Sequence, residues 1–191
     1  MSKLCELAEK YGVDKCPVIN HQYTPTYDML LWNKNPKKFL EIGIGNYELM
    51  SRIVGTDYKH GASLRMWKEY FPDCYIYGCD ILENVIFQDE RISTQLVDQS
   101  CPASLQEMMH NFGTMDIILD DGSHIEEHQR LSFSTLWEYL NKGGYYIIED
   151  VRKNRLMEMS NISNEFLDCK LKHVHDHPMD NHGFIVFEKL S

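Results

Sequence analysis

The sequence has no long apolar run, few basic residues and no paired cysteine motif, and each absence excludes a class of protein. No stretch approaches the roughly 18–20 consecutive apolar residues of a membrane-spanning helix, and the segment MSKLCELAEKYG has no apolar signal-peptide core. Nineteen lysines and arginines face 29 acidic residues, and a net charge of −10 argues against a sequence-independent grip on nucleic acid. The six cysteines show no C-x-x-C spacing, so we expect reduced thiols and a cytoplasmic protein.

The sequence does contain short apolar runs bounded by turn residues, which are typical of buried parallel strands. Examples are FLEIGIG at 39–45 and DIILDDG at 116–122. Strands are predicted at 39–42, 74–81, 93–100, 115–124, 145–151, 169–177 and 183–189. Helices are predicted at 2–11, 27–33, 61–70, 102–111, 125–140 and 155–167, with a loop over 46–60. This alternation predicts a doubly wound α/β fold, with a mostly parallel sheet of seven strands and a C-terminal antiparallel strand.

The length and the absence of a linker predict a single domain over 1–191. Its predicted parts are an N-terminal helical or lid segment at 1–35, a core at 36–151, and a C-terminal helix and strand pair at 152–191. The last part carries His173, His175, His177 and His182. Two interpretations of these histidines stay open: a transition-metal site, or a loop after residue 176 that overhangs the ligand-binding edge and lines a pocket.

Polar and acidic residues collect where the predicted strands end. They are Glu41, Asp80, Asp98, Gln99, Asp121, Glu149 and Asp150. Because ligands of such sheets bind beyond the carboxyl ends of the strands, we expect the functional site at this edge. The turn with Gly43 and Gly45 lets backbone N–H groups approach a ligand. Glu48 occupies the place of the third glycine in the dinucleotide fingerprint, which disfavours an NAD-linked oxidoreductase.

Three of these residues suit a nucleoside. Asp80 can accept hydrogen bonds from both hydroxyls of a ribose, and Asp98 with Gln99 can hold an adenine edge. The alternative is that Asp80 caps a helix or turn and that Asp98 and Gln99 form an ordinary turn at the end of a strand.

Asp121 and Asp150 lie at the ends of adjacent predicted strands, so their carboxylates are expected to converge. Two such carboxylates repel each other unless a cation lies between them or one is protonated. Oxygen ligands suit Mg²⁺ or Mn²⁺, although capping and turn roles stay open. His124 can face the same cleft and take up a proton near neutral pH. The spacing H-I-E-E-H at 124–128 departs from the H-E-x-x-H of zinc proteases.

Six stretches taken together resemble one family of class I S-adenosylmethionine-dependent methyltransferases. They are HQYTPTYDMLL (21–31), FLEIGIGNY (39–47), GASLRMWKEYFP (61–72), IYGCDI (76–81), DIILDDGSHIEEHQRLSF (116–133) and GGYYIIEDV (143–151). The family includes the metal-dependent macrolide sugar O-methyltransferases of the mycinamicin and demethylmacrocin type. The resemblance covers most of residues 3–151, and its S-L-R-M-W and D-D-G-S-H segments are the most specific parts.

The resemblance implies a Rossmann-like methyltransferase whose residues 36–151 bind cofactor and metal. The residues it implies around S-adenosylmethionine are Tyr23, Glu41, Gly43, Gly45, Asn46, Tyr47, Ser63, Asp80, Asp98 and Gln99. Among these, Glu41 to Tyr47 would surround the methionine part, Asp80 the ribose, and Asp98 with Gln99 the adenine. It also implies that Asp121 and Asp150 bind Mg²⁺ or Mn²⁺, with Glu149 in the surroundings, and that His124 is the general base.

These implications predict a metal-dependent O-methyltransferase that acts on a sugar hydroxyl, in a free, nucleotide-linked, glycan-linked or natural-product-linked sugar. Two alternatives stay open: a catechol- or phenol-type O-methyltransferase, and a catalytically silent cofactor-binding module. The expected partner is a small-molecule or sugar acceptor, without nucleic acid or membrane. A homo-oligomer is also expected, because a chain of this length needs something to close its acceptor pocket.

Overall fold

The computed structural model describes residues 2–190, which contain eight strands and seven α-helices. The strands are β1 (Lys38–Ile42), β2 (Tyr75–Asp80), β3 (Gln88–Asp89), β4 (Ile92–Leu96), β5 (Met115–Asp120), β6 (Leu140–Arg152), β7 (Cys169–His175) and β8 (His182–Lys189). The α-helices are α1 (Lys3–Tyr11), α2 (Tyr23–Leu31), α3 (Tyr47–Val54), α4 (Ala62–Tyr70), α5 (Pro102–Phe112), α6 (Glu126–Leu136) and α7 (Leu156–Ser160). Short 3₁₀ turns lie at Glu83–Val85, Trp137–Tyr139, Lys153–Arg155 and Asn161–Glu165.

The strands form one sheet in the order β3-β4-β2-β1-β5-β6-β8-β7. Strands β4, β2, β1, β5 and β6 are parallel, and β8 lies antiparallel between β6 and β7. The predicted fold class is therefore confirmed. The sheet has eight strands instead of seven because β3 adds a two-residue antiparallel edge strand, too short to produce an apolar run.

Two hydrophobic cores cover the two faces of the sheet. Alternate residues of β6 point to opposite faces, so Tyr145 and Ile147 pack with α1, α2 and α4. Tyr146 and Ile148 pack with α5, α6 and α7 on the other face. Strands buried on both faces explain the continuous apolar runs of the sequence.

Several predicted elements differ from those in the structure. Residues 46–60 were predicted as a loop but contain α3, which begins where the Asn46 side chain accepts a hydrogen bond from the Leu49 N–H at 2.9 Å. None of the residues of α3 is buried. Helix α2 starts at Tyr23 instead of residue 27, and the helix predicted at 155–167 is α7 followed by a 3₁₀ turn.

The sheet order brings three strand ends together. From β1 the chain first adds β2 and β4 on one side of the sheet and then β5 on the other side. The switch point of the strand order therefore lies between β1 and β5, and α/β proteins bind ligands at such a point. Ile42 pairs with Asp120, and Asp120 pairs with Ile148, so the residues after these three lie side by side. No helix within residues 2–190 is long and apolar enough to cross a membrane.

Candidate active site

A cavity of about 620 Å³ opens at this edge of the sheet. The predicted site residues that line it are Gly43, Gly45, Asn46, Ser63, Asp80, Asp121, His124 and Asp150. A neighbouring cavity of about 240 Å³ is lined by Asp98 and Gln99 and shares Gly43 and Asp80 with the first. Tyr23, Glu41 and Tyr47 lie outside the linings of both cavities.

The turn after β1 requires glycine. Gly43 has φ +94°, and a Cβ there would lie 2.1 Å from the Asp121 carbonyl oxygen. The turn is tied to β2 because the Ile44 N–H donates to Asp80 Oδ2 at 2.8 Å. The Leu82 N–H donates to the other oxygen of Asp80 at 3.0 Å. Asp80 therefore shapes the turn while it also lines both cavities.

The Gln99 side-chain amide, which lines the second cavity, is bonded at both of its ends. The Gln99 Nε2 group donates to Asp120 Oδ1 at 2.7 Å, and the Ser123 N–H donates to Gln99 Oε1 at 2.9 Å. Asp98 Oδ1 accepts hydrogen bonds from the backbone N–H and the hydroxyl of Ser100. Both ends of the Gln99 amide are thus engaged within the protein, and Asp98 closes a turn.

Asp121, His124 and Asp150 converge in the larger cavity. His124 Nε2 lies 3.2 Å from Asp121 Oδ1, and His124 Nδ1 lies 3.5 Å from Asp150 Oδ2. One possible ligand atom from each residue lies within 4.8 Å of the others, and within residues 2–190 this is the only such group of three. His124 and Asp150 have φ values of +56° and +54°, the left-handed region that residues other than glycine adopt uncommonly. The carboxylate oxygens of Asp121 and Asp150 are donors that fit Mg²⁺ or Mn²⁺, and the His124 imidazole lies beside them.

The two carboxylates favour a positive charge between them. Burial opposes the charged imidazole of His124, but its hydrogen bond to Asp121 and the charges of Asp121 and Asp150 raise its pKa to about 9. Burial also acts to raise the pKa of Asp121, yet the Lys15 ammonium and His124 hold it well below its usual value. The group is therefore arranged to surround a cation.

Lys15 is the main residue of the site that sequence reasoning missed. Its side chain is buried, and its Nζ lies 2.5 Å from both Asp121 Oδ2 and Glu149 Oε2, and 3.7 Å from Glu41 Oε1. Burial opposes its charge, but Asp121, Glu149 and Glu41 raise the pKa of Lys15 well above its usual value. The only signal in the sequence is the excess of acids at the strand ends, because several carboxylates that are buried together need a cation beside them.

Two tyrosines of α2 bind the acids at the end of β6. The Tyr23 hydroxyl donates to Asp150 Oδ1 at 2.7 Å, and the Tyr27 hydroxyl donates to Glu149 Oε1 at 2.5 Å. Tyr23, which the resemblance places at the cofactor, contacts Asp150 of the acidic centre in this structure. Glu41 is fully buried beneath the turn, where burial, partly offset by Lys15, raises its pKa to about 7.

Another wall of the larger cavity is formed by Met179, Asp180 and Asn181 of the loop between β7 and β8, and by His182 at the start of β8. Asp180 fixes the segment before α2, because both of its carboxylate oxygens accept the Gln22 N–H at 3.2 Å. His175 Nδ1 lies 3.0 Å from Thr26 Oγ1. Within the described residues, the C-terminal histidines do not form a metal-ligand group. Of the two interpretations, the pocket-lining loop agrees with the structure.

No family model matches the chain. It is 39% identical over 151 residues to 8-demethyl-8-alpha-L-rhamnosyl tetracenomycin-C 2'-O-methyltransferase of Streptomyces olivaceus, a match that covers 78% of this chain and 38% of that protein. It is 39% identical over 150 residues to demethylmacrocin O-methyltransferase of Streptomyces fradiae, covering 78% and 36%. The chain thus spans well under half the length of these curated relatives.

Among solved structures, the chain is similar to the MycE methyltransferase from the mycinamycin biosynthetic pathway in complex with Mg, SAH and mycinamycin VI. The TM-score is 0.77 at 30% identity, and the match covers 98% of this chain and 54% of that chain. A second MycE structure, with Mg and SAH, gives a TM-score of 0.76 at 27% identity, covering 98% of this chain and 54% of that one.

The sheet order and the match to MycE show that the chain has the Rossmann-like fold of methyltransferases, with its larger cavity at the switch point of the sheet. More narrowly, the curated relatives of this chain are sugar O-methyltransferases, and the two MycE structures hold Mg and SAH. The resemblance predicted from the six sequence stretches is confirmed.

Proposed function

We propose that this chain provides the catalytic centre of an S-adenosylmethionine-dependent O-methyltransferase that uses Mg²⁺ or Mn²⁺ and methylates a sugar hydroxyl. The observation that carries the proposal is the convergence of Asp121, His124 and Asp150 within 4.8 Å, beside a glycine turn that lines the same cavity. The sugar O-methyltransferases to which the chain is similar support the acceptor class.

The cofactor would occupy both cavities. The methionine part would lie along Gly43, Gly45 and Asn46, near Ser63, because these residues line the larger cavity and glycine lets the backbone approach a ligand closely. The ribose would lie at Asp80, which lines both cavities, and the adenine in the smaller one, beside Asp98 and Gln99. Glu41 beneath the turn and Tyr47 at the start of α3 would support this half of the site.

Asp121 and Asp150 would hold the metal, with Glu149 beside them bound to Lys15 and Tyr27. When bound, the metal would supply a positive charge that makes two neighbouring hydroxyls of the acceptor easier to deprotonate.

His124 would take the proton from the acceptor hydroxyl. The acceptor oxygen then attacks the methyl carbon of the sulfonium in line, the carbon–sulfur bond breaks, and S-adenosylhomocysteine leaves. The imidazole acts as a base only in its neutral form. Asp121 and Asp150 raise the pKa of His124, so a metal that neutralised their charge would return this pKa toward its ordinary value.

His124→Ala tests the base. We expect the rate of methylation to fall by about 10²–10⁴ while binding of S-adenosylhomocysteine, measured by isothermal titration calorimetry, stays unchanged. His110→Ala, at an exposed position of α5, is the matched control and should leave both quantities unchanged. A His124→Ala enzyme that methylates at full rate would contradict the assignment.

Chelation tests the metal. EDTA should abolish turnover, and added Mg²⁺ or Mn²⁺ should restore it. An enzyme that is insensitive to chelation would contradict the proposed metal site.

A panel of sugars assayed beside simple catechols tests the acceptor class. Preference for catechols would move the assignment to the catechol type, and cofactor binding without turnover on any diol would indicate a silent module.

We place the enzyme in the cytoplasm with a small-molecule acceptor. Free cysteines support this location. The net charge of −10 supports a partner other than nucleic acid.

A further inference from the structure

Each of the two central carboxylates has one oxygen bonded to a residue that precedes the first strand. Lys15 Nζ lies 2.5 Å from Asp121 Oδ2, and the Tyr23 hydroxyl lies 2.7 Å from Asp150 Oδ1. The remaining oxygens, Asp121 Oδ1 and Asp150 Oδ2, face the His124 imidazole at 3.2 and 3.5 Å. One oxygen of each carboxylate is thus bonded to Lys15 or Tyr23, and the other faces His124, which lines the same cavity.

The two donors belong to one tightly packed segment. The backbone carbonyl of Lys15 accepts the N–H groups of Tyr23 and Thr24 at 3.1 and 3.0 Å, so Lys15 is fixed to the first turn of α2. The Tyr23 side chain is completely buried and packs edge-on against Phe184 of β8 at 5.1 Å between ring centroids. A carboxylate bonded to such a rigid donor cannot rotate freely, which fixes the direction of its second oxygen.

We infer that Lys15 and Tyr23 are positioning residues that leave Asp121 and Asp150 one available oxygen each, and that they thereby favour Mg²⁺ and Mn²⁺ over Ca²⁺. Ca²⁺ takes six to eight oxygen ligands and often binds both oxygens of a carboxylate, whereas Mg²⁺ is smaller and keeps several waters. Two carboxylates limited to one oxygen each suit the smaller ion. The inference rests on the metal site of the proposed function.

Tyr23→Phe tests the inference, because it removes the hydroxyl and keeps the buried ring. Mn²⁺ binding is measured by the electron paramagnetic resonance signal of free Mn²⁺, and Ca²⁺ binding by competition. We expect the Kd for Mn²⁺ to rise about 10–100-fold, as is typical when a partner of a metal ligand is lost. The preference for Mn²⁺ over Ca²⁺ should fall at least about threefold, because Asp150 could then offer both oxygens.

Tyr70→Phe is the matched control. Its hydroxyl also donates to a carboxylate, Asp28 Oδ1 at 2.5 Å, but it lies on α4 outside both cavities. This variant should keep the wild-type Kd and the wild-type selectivity. Circular dichroism melts establish that both variants are folded.

The outcomes separate the inference from the proposed function. A wild-type protein that binds no Mn²⁺ would refute the metal site, and the inference with it. A wild-type protein that binds Mn²⁺, with a Tyr23→Phe variant whose Kd and selectivity stay within about twofold of it, would refute the inference alone. Equal weakening in Tyr23→Phe and Tyr70→Phe would also overturn it, since a general loss of stability would then explain both.

Discussion

Replacing Lys15 with methionine removes a buried ammonium while it keeps a side chain of similar length. The loss leaves Asp121 Oδ2 and Glu149 Oε2, each 2.5 Å from Lys15 Nζ, without their cation. Removing one partner of a buried ion pair costs about 3–5 kcal/mol, because a buried charge is left uncompensated. For a domain of this size about 1 kcal/mol lowers Tm by roughly 2–4 °C, so the expected fall in Tm is about 6–20 °C.

Scanning calorimetry at pH 7 without divalent cations measures this effect. Lys10→Met is the control, because Lys10 contacts Glu69 at the same 2.5 Å but both side chains are largely exposed, and its Tm should hardly change. Lys15→Met/Glu149→Gln removes both charges of one pair and should recover part of the lost stability. A Lys15→Met variant that melts within about 2 °C of the wild type would show that the buried ammonium does not stabilise the fold.

Two further predictions concern the turn after β1 and the acid beneath it. Gly43→Ala should weaken S-adenosylhomocysteine binding more than about tenfold, since its Cβ would meet the Asp121 carbonyl at 2.1 Å and displace the turn. Gly143→Ala, with φ +75° and open space around it, should leave that Kd unchanged in the same calorimetric titration. Glu41→Gln should change the pH dependence of stability. Burial raises the pKa of Glu41 from 4.5 to about 7, so the stability present below pH 4.5 is lost as the pH rises through 7. Relative to wild type, the free energy of unfolding of Glu41→Gln should therefore rise by about 2–3 kcal/mol between pH 5 and pH 8. The exposed Glu90→Gln should show no such rise in denaturant titrations, and an equal rise in both variants would refute this interpretation.

The features that depend on local pattern could be predicted from the sequence. Apolar runs identified the parallel strands, and the acids at the ends of these runs identified the edge where Asp121 and Asp150 meet, because the ends of adjacent parallel strands are neighbours. Helix α3 was missed although its signals are local. Asn46 is a favourable N-cap, and Gly55 follows the last helical residue, but the glycine turn just before it suggested a longer loop.

The residues that contact the acids of the site, Lys15 and Tyr23, could not be predicted in this way. Lys15 is separated by 106 and 134 residues from Asp121 and Glu149, its partners. Whether a lysine is buried depends on such distant charges, and nothing in its own segment distinguishes it from a lysine in an exposed turn. Tyr23 lies in a stretch that resembles the family, yet only the packing of α2 on the sheet shows that its hydroxyl reaches Asp150.

The stability of helix α3 should depend on whether a ligand occupies the larger cavity. An eight-residue helix is too short to be stable alone in water, and none of its residues is buried. Its apolar residues Leu49, Met50 and Ile53 border the larger cavity. A molecule that fills this space would cover them, so occupancy should shift α3 from frequent opening to persistent order. Amide hydrogen exchange in this helix should therefore report how full the cavity is.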